Sequence, residues 1–124
     1  MTVEDFYQAV EGDYEDAINR FQEDTRIARF LKMLPQDDSM DLLAEAIQAA
    51  DVRQAFCAAH TLKGTSLNLS LMALAHTCTI MADLLRESEV LPEETKPAYE
   101  AVRREYARVC EAVKELDGCE HSEE

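Results

Sequence analysis

Along most of the chain apolar residues return every three or four positions and almost nowhere at every second one, the spacing of amphipathic helices rather than strands. The pattern predicts the following elements in order. Thr2 is placed to cap a short first helix ending near Gly12, where the glycine supplies the closing turn. Asp13 caps a second short helix, Tyr14 to Phe21. Asp24 or Thr25 opens a third, whose Ile27, Phe30, Leu31 and Leu34 share one buried face before Pro35 stops it. Gln36-Asp37-Asp38-Ser39 is turn chemistry, and Ser39 caps a helix carrying Leu42, Leu43, Ala46, Ile47 and Ala50.

Asp51 caps the next helix, which reaches about Asn68 and sets Val52, Ala55, Phe56, Ala59, Leu62 and Leu69 on one side. Ser70 starts another, with the cleanest stripe in the chain: Leu71, Leu74, Ala75, Cys78, Met81, Ala82 and Leu85. A second strip on it, Thr77, Ile80 and Leu84, predicts neighbours on two sides. Arg86 to Leu91 forms a polar link. The last helix begins between Pro92 and Pro97, turns Ala98, Val102, Tyr106, Val109, Val113 and Leu116 inward, and ends at Gly118. Long helices with short connections predict an all-α antiparallel up-down four-helix bundle, with the N-terminal helices packed on one end. The expected division is a single domain over 1–124, with an N-terminal helical lid at 1–23, a bundle core at 24–117 and a disordered tail at 118–124.

One helix carries a pattern that packing does not account for. His60 sits at the edge of the apolar stripe, and Lys63 and Gly64 flank it one turn on. Glycine inside a helix costs roughly 1 kcal/mol relative to alanine, so Gly64 needs a reason. Without a side chain there, the imidazole is open to something large. Neutral imidazole is a nucleophile near neutral pH, and a lysine one turn away can steady an anion bound to it. Leu67 and Asn68 extend along the same side, and Phe56 precedes it by one turn; these three are candidate partner contacts.

His60-Thr61-Leu62-Lys63-Gly64, followed by Ser66 and Asn68-Leu69, resembles the signature of the histidine-containing phosphotransfer (HPt) domain of multistep phosphorelays. The resemblance spans the helix holding Arg29, Phe30 and Leu31 through to Leu85. It implies a four-helix bundle with His60 as the exposed phosphoacceptor, Lys63 steadying the phosphoryl group and Gly64 giving access. It also implies partners: receiver domains of hybrid sensor kinases and of response regulators, which bring the acceptor aspartate and Mg²⁺. One position departs from the family, which usually has glycine after the leucine at 69. Here Ser70 stands there, a small residue suited to cap the next helix.

Composition narrows the function further. Three glycines, three prolines and no tryptophan among 124 residues fit an all-helical chain. A formal net charge of −14 argues against nucleic acid and anionic membrane surfaces as partners. The first residues carry neither a basic region nor an apolar run, so a cytoplasmic protein with reduced cysteines is expected. No glycine-rich nucleotide loop or carboxylate cage for magnesium is legible. The expected role is a stoichiometric phosphoryl carrier, monomeric, with no kinase activity and no cofactor of its own.

Other readings compete for the same residues. Cys57 and His60, three apart, could give two ligands to zinc. The second pair would be His76 and Cys78, whose spacing of two points them to nearly opposite sides of a helix. An acidic helical adaptor without phosphotransfer is another reading, and the phosphoacceptor domain of a chemotaxis kinase is a third. His76 and His121 lack the lysine-glycine companions and are not expected to accept a phosphoryl group.

Overall fold

Short acidic and hydroxyl side chains start three of the helices. Thr2 Oγ1 accepts from the Asp5 N–H at 3.0 Å, Asp13 Oδ1 from Asp16 at 3.0 Å, and Asp51 Oδ1 from Gln54 at 3.1 Å. Each satisfies a donor that the helix itself leaves unpaired. The computed structural model describes residues 1–116, and among them the chain is all-helical. The elements are α1 (Val3–Ala9), α2 (Tyr14–Phe21), α3 (Asp24–Leu31), a 3₁₀ turn (Leu34–Gln36), α4 (Ser39–Gln48), α5 (Val52–Asn68), α6 (Met72–Leu85) and α7 (Thr95–Val113). Helix α5 packs between α4 and α6, and α6 also packs on α7. Helix α7 ends at Val113, short of the expected end at Gly118; Gly118 itself lies outside the described residues, as do His121 and the tail.

The core follows the predicted stripes closely on α5 and α6. All seven stripe residues of the latter helix and its approach, from Leu71 to Leu85, are buried. Ala55, Ala59, Leu62 and Leu69 are buried on the former, with Val52 and Phe56 half-buried. Four local readings change. Ser39 is the first residue of α4 and not its cap; its N–H donates to the Asp37 carboxylate at 3.3 Å. Phe30 leaves the buried face of α3 and instead stacks on Phe21, ring centres 5.2 Å apart. Leu42 is exposed. Ile80 on the second strip of α6 is 49% exposed, although Thr77 and Leu84 of that strip are half-buried and the helix has the expected neighbours on two sides, α5 and α7.

Where helices end, left-handed backbone falls on residues other than glycine: Glu11, Gln22, Ala50 and Ser70. Gly12 was the expected turn residue, but Glu11 takes the left-handed conformation. What demands glycine at 12 is crowding. A Cβ there would meet the Tyr7 ring at 2.6 Å and the Ser70 carbonyl oxygen at 2.9 Å. That close approach ties the N-terminal helices to the end of α5. The Tyr7 hydroxyl donates to the Leu69 carbonyl at 2.7 Å in a buried bond, and the Asp13 N–H donates to Ser70 O at 2.9 Å.

Ser70 is therefore not a helix cap. It adopts φ 59° between α5 and α6, which accounts for the glycine usual at this place in the resembling family. The left-handed conformation costs a non-glycine residue about 1 kcal/mol. The hydroxyl offsets that cost by donating to Asp16 Oδ2 at 2.6 Å. This bond, and then Arg20, holds the Asp16 carboxyl below the usual carboxylate range.

A stability prediction follows from these opposed effects. Ser70→Ala keeps the strain and loses the bond, whereas Ser70→Gly loses both; the alanine variant should be the less stable by about 1 kcal/mol in denaturant unfolding. The pH dependence has a definite sign. A carboxyl whose pKa falls on folding adds stability above its unfolded value, near 3.9, and loses it as pH drops through the folded value. The deficit of Ser70→Ala relative to wild type is thus full at neutral pH and narrows below about pH 4.

Candidate functional site

Helix α5 sorts its residues into two faces. Ala55, Ala58, Ala59, Leu62 and Ser66 are buried, the last with its hydroxyl donating to the Leu62 carbonyl at 2.8 Å. At 100° per residue, Phe56, His60, Lys63, Gly64 and Leu67 fall within a narrow arc on the other side, and Asn68 lies at its border. His60 is exposed, Lys63 and Gly64 half-buried, Leu67 and Asn68 exposed. The structure thus brings all six candidate residues to one face of one helix.

Space around Gly64 is open: a Cβ placed there would meet nothing within 4 Å. No packing partner explains the glycine, so it does not serve a close helix–helix seam. The His60 ring has one aromatic neighbour, Phe56, with ring centres 5.6 Å apart and a 36° tilt. That contact orients the imidazole without covering it.

Charge is distributed unevenly around this face. The chain has 26 Asp and Glu residues, yet none lies within Val52–Asn68, which carries Arg53 and Lys63. An acidic partner pocket could approach here without the repulsion it would meet elsewhere. Beside the acid-free helix stands Arg86, just beyond the end of α6, its guanidinium carbon 5.3 Å from the centre of the Phe56 ring. By sequence, Arg86 belongs to a polar link. It pairs with Asp83, three residues before it, at 3.0 Å, and nothing in that local spacing places it against Phe56.

A second feature escaped the sequence reading. Phe21, Phe30 and Met33 line a groove whose opposite wall is Thr65, Asn68 and Leu69 of the α5 end. Asn68 therefore belongs to the groove as well as to the His60 face. No periodicity in α2 or α3 announces it, because the groove forms between elements.

The zinc ligands are not brought together. Among the described residues no group of three His, Cys, Asp or Glu side chains is placed to hold a metal ion. Cys78 is fully buried in the core, where desolvation pushes its thiol up to about 12. It is a small hydrophobe at neutral pH. Cys57 and His76 are exposed on their own helices. Among the described residues, no helix is long and apolar enough to cross a membrane.

No curated protein and no solved structure matches this chain. The family model of the Hpt domain matches residues 27–116, leaving α1, α2 and the first residues of α3 outside the matched region. Hpt domains are phosphocarrier modules of two-component phosphorelays that interact with receiver domains and are not themselves kinases. With a match covering most of its length, and a helical fold to go with it, the chain belongs to the Hpt domain family.

Proposed function

We propose that His60 accepts a phosphoryl group from the receiver aspartate of a hybrid sensor kinase and passes it to the receiver aspartate of a response regulator. The carrying observation is the exposed imidazole beside a glycine that no packing requires. In the forward step a ring nitrogen forms the N–P bond as the O–P bond of the aspartyl phosphate breaks. The departing electron pair stays on the aspartate carboxylate, and the ring proton goes to solvent. The return step reverses these changes. The partner's Mg²⁺ neutralises charge on the moving group, and this chain supplies nucleophile, orientation and one nearby cation.

Lys63 follows His60 by one helical turn, so its ammonium reaches the oxygens of a group on the ring as a mobile point charge. Gly64 leaves room for the receiver to close over the imidazole, and Phe56, Leu67 and Asn68 form the contact surface on either side. The supporting frame is read as an antiparallel four-helix bundle of α4 to α7. A monomer acting in the cytoplasm, without a cofactor of its own, fits this role. An acid-free site helix in a chain of net charge −14 favours it over a purely acidic adaptor.

The test is to mix the protein with a radiolabelled, phosphorylated receiver domain and map the label by peptide mass spectrometry. Acid-labile, alkali-stable label on His60 is expected. Label confined to His76, His121 or an acidic residue would overturn the assignment.

A further inference from the structure

The groove between α2, α3 and the end of α5 has no part in the chemistry of His60, yet it leaves large apolar side chains open to solvent side by side. Phe30 is 38% and Met33 56% exposed, and Phe21 is half-buried beside them. The Phe21 and Phe30 rings, centres 5.2 Å apart and tilted by 33°, form one wall. Buried Leu34 and Leu69 complete the apolar lining. The volume is about 530 Å³, within the range of sites that take small molecules.

Its polar groups favour a cation. Asp37 is the one charged residue of the lining; it is half-buried and forms no ion pair among the described residues. Its carboxylate accepts only the Ser39 N–H, at 3.3 Å. Thr65 and Asn68 on the opposite wall belong to the last turn of α5, where a helix of 17 residues gathers partial negative charge and no basic residue offsets it. The nearby Arg26 is held by the Phe21 carbonyl at 3.3 Å and Glu23 at 4.0 Å and does not line the groove. The side chains of Gln36, Thr65 and Asn68 have no hydrogen-bond partner among the described residues, so polar groups in the lining are free to orient a ligand.

We propose that this groove is a binding site for a small aromatic amine, its flat body against Phe21 and Phe30 and its ammonium between Asp37 and the α5 terminus. The apolar wall takes the ring out of water, and the carboxylate and helix end both favour the positive charge. An aromatic acid of the same size would meet like charge at that place.

The test uses the full chain, labelled with ¹⁵N and titrated with tryptamine at about 0.15 M salt, where loose attraction to a chain of net charge −14 is screened. Indole-3-propionate, with the same ring and the opposite charge, is the control. Tryptamine should shift the amide signals of Phe21, Phe30, Met33 and Asn68 with a dissociation constant on the order of 1 mM, the strength usual for so small a ligand. The propionate should bind about tenfold more weakly.

Asp37→Asn keeps an acceptor for the Ser39 N–H and should cut that preference to about threefold or less. Phe30→Ser should weaken both ligands by about fivefold or more. Equal binding of the two ligands to wild type, or a preference that Asp37→Asn leaves unchanged, would overturn the proposal. So would shifts spread over the acidic helices with none at the groove. No shift with either ligand would overturn it as well and leave the groove to the partner surface beside Asn68. None of these outcomes bears on His60 as phosphoacceptor.

Discussion

His60→Gln is expected to abolish phosphoryl uptake from a phosphorylated receiver, by at least about a thousandfold, while leaving the fold unchanged. Glutamine nearly matches the size of histidine and is a better helix former, but its amide is no nucleophile toward phosphorus. His60 is exposed and makes no hydrogen bond among the described residues, so the substitution removes only its contact with Phe56. Surface changes of this kind shift stability within about 0.5 kcal/mol. A thousandfold loss in rate corresponds to about 4 kcal/mol at the transition state, far beyond what that shift could cause. The check is a transfer assay beside a thermal melt of the same preparation. A matching melt with no transfer assigns the chemistry to His60; transfer within twofold of wild type would remove the basis for the carrier role.

What the sequence made legible here was whatever depends on neighbours along a helix. The α5 and α6 stripes, the caps at Thr2, Asp13 and Asp51, and the alignment of Phe56, His60, Lys63, Gly64 and Leu67 all follow from residues three, four or seven apart. Contacts between elements were not legible. Gly12 looked like an ordinary turn glycine because the Ser70 carbonyl that crowds it is distant in sequence. Ser70 looked like a cap because its partner, Asp16, lies on α2. Arg86 looked like a linker charge because Phe56, the ring beneath it, belongs to another helix. The same limit hid the groove between Phe21, Phe30 and Asn68.

These long-range ties also join the N-terminal helices to the end of α5. They lie outside the region that the Hpt family model matches, yet Tyr7, Gly12, Asp13 and Asp16 all bond to or pack on Leu69 and Ser70. Those two residues immediately follow the helix that carries His60. Local order at the end of α5 is thus set from both sides, by the matched core and by the segment preceding it. Phe21 extends the effect to the groove beside Asn68, so changes in α2 can reach the candidate partner surface without touching the imidazole.

Gly64 separates stability from function most sharply. Its surroundings leave room for a Cβ, so Gly64→Ala gains helix propensity without a clash and should stabilise the protein by roughly 0.5–1 kcal/mol, raising the melting temperature by about 2–6 °C. Gly64→Gln should fold equally well, since its side chain points the way His60 does, into solvent. Its effect falls on the encounter. A side chain one turn from the imidazole occupies the volume that a receiver's active site must fill to bring its aspartate within bonding distance of the ring. Displacement of about 1 Å can cost a hundredfold in such a transfer, so Gly64→Gln is expected to slow receiver-dependent transfer by about that factor. Phosphoramidate is small enough to reach the ring past the added side chain, and its labelling of His60 should stay within about threefold of wild type. A parallel loss with both donors would mean that the substitution disturbs the imidazole itself, and the glycine would then be there for the ring rather than for the partner.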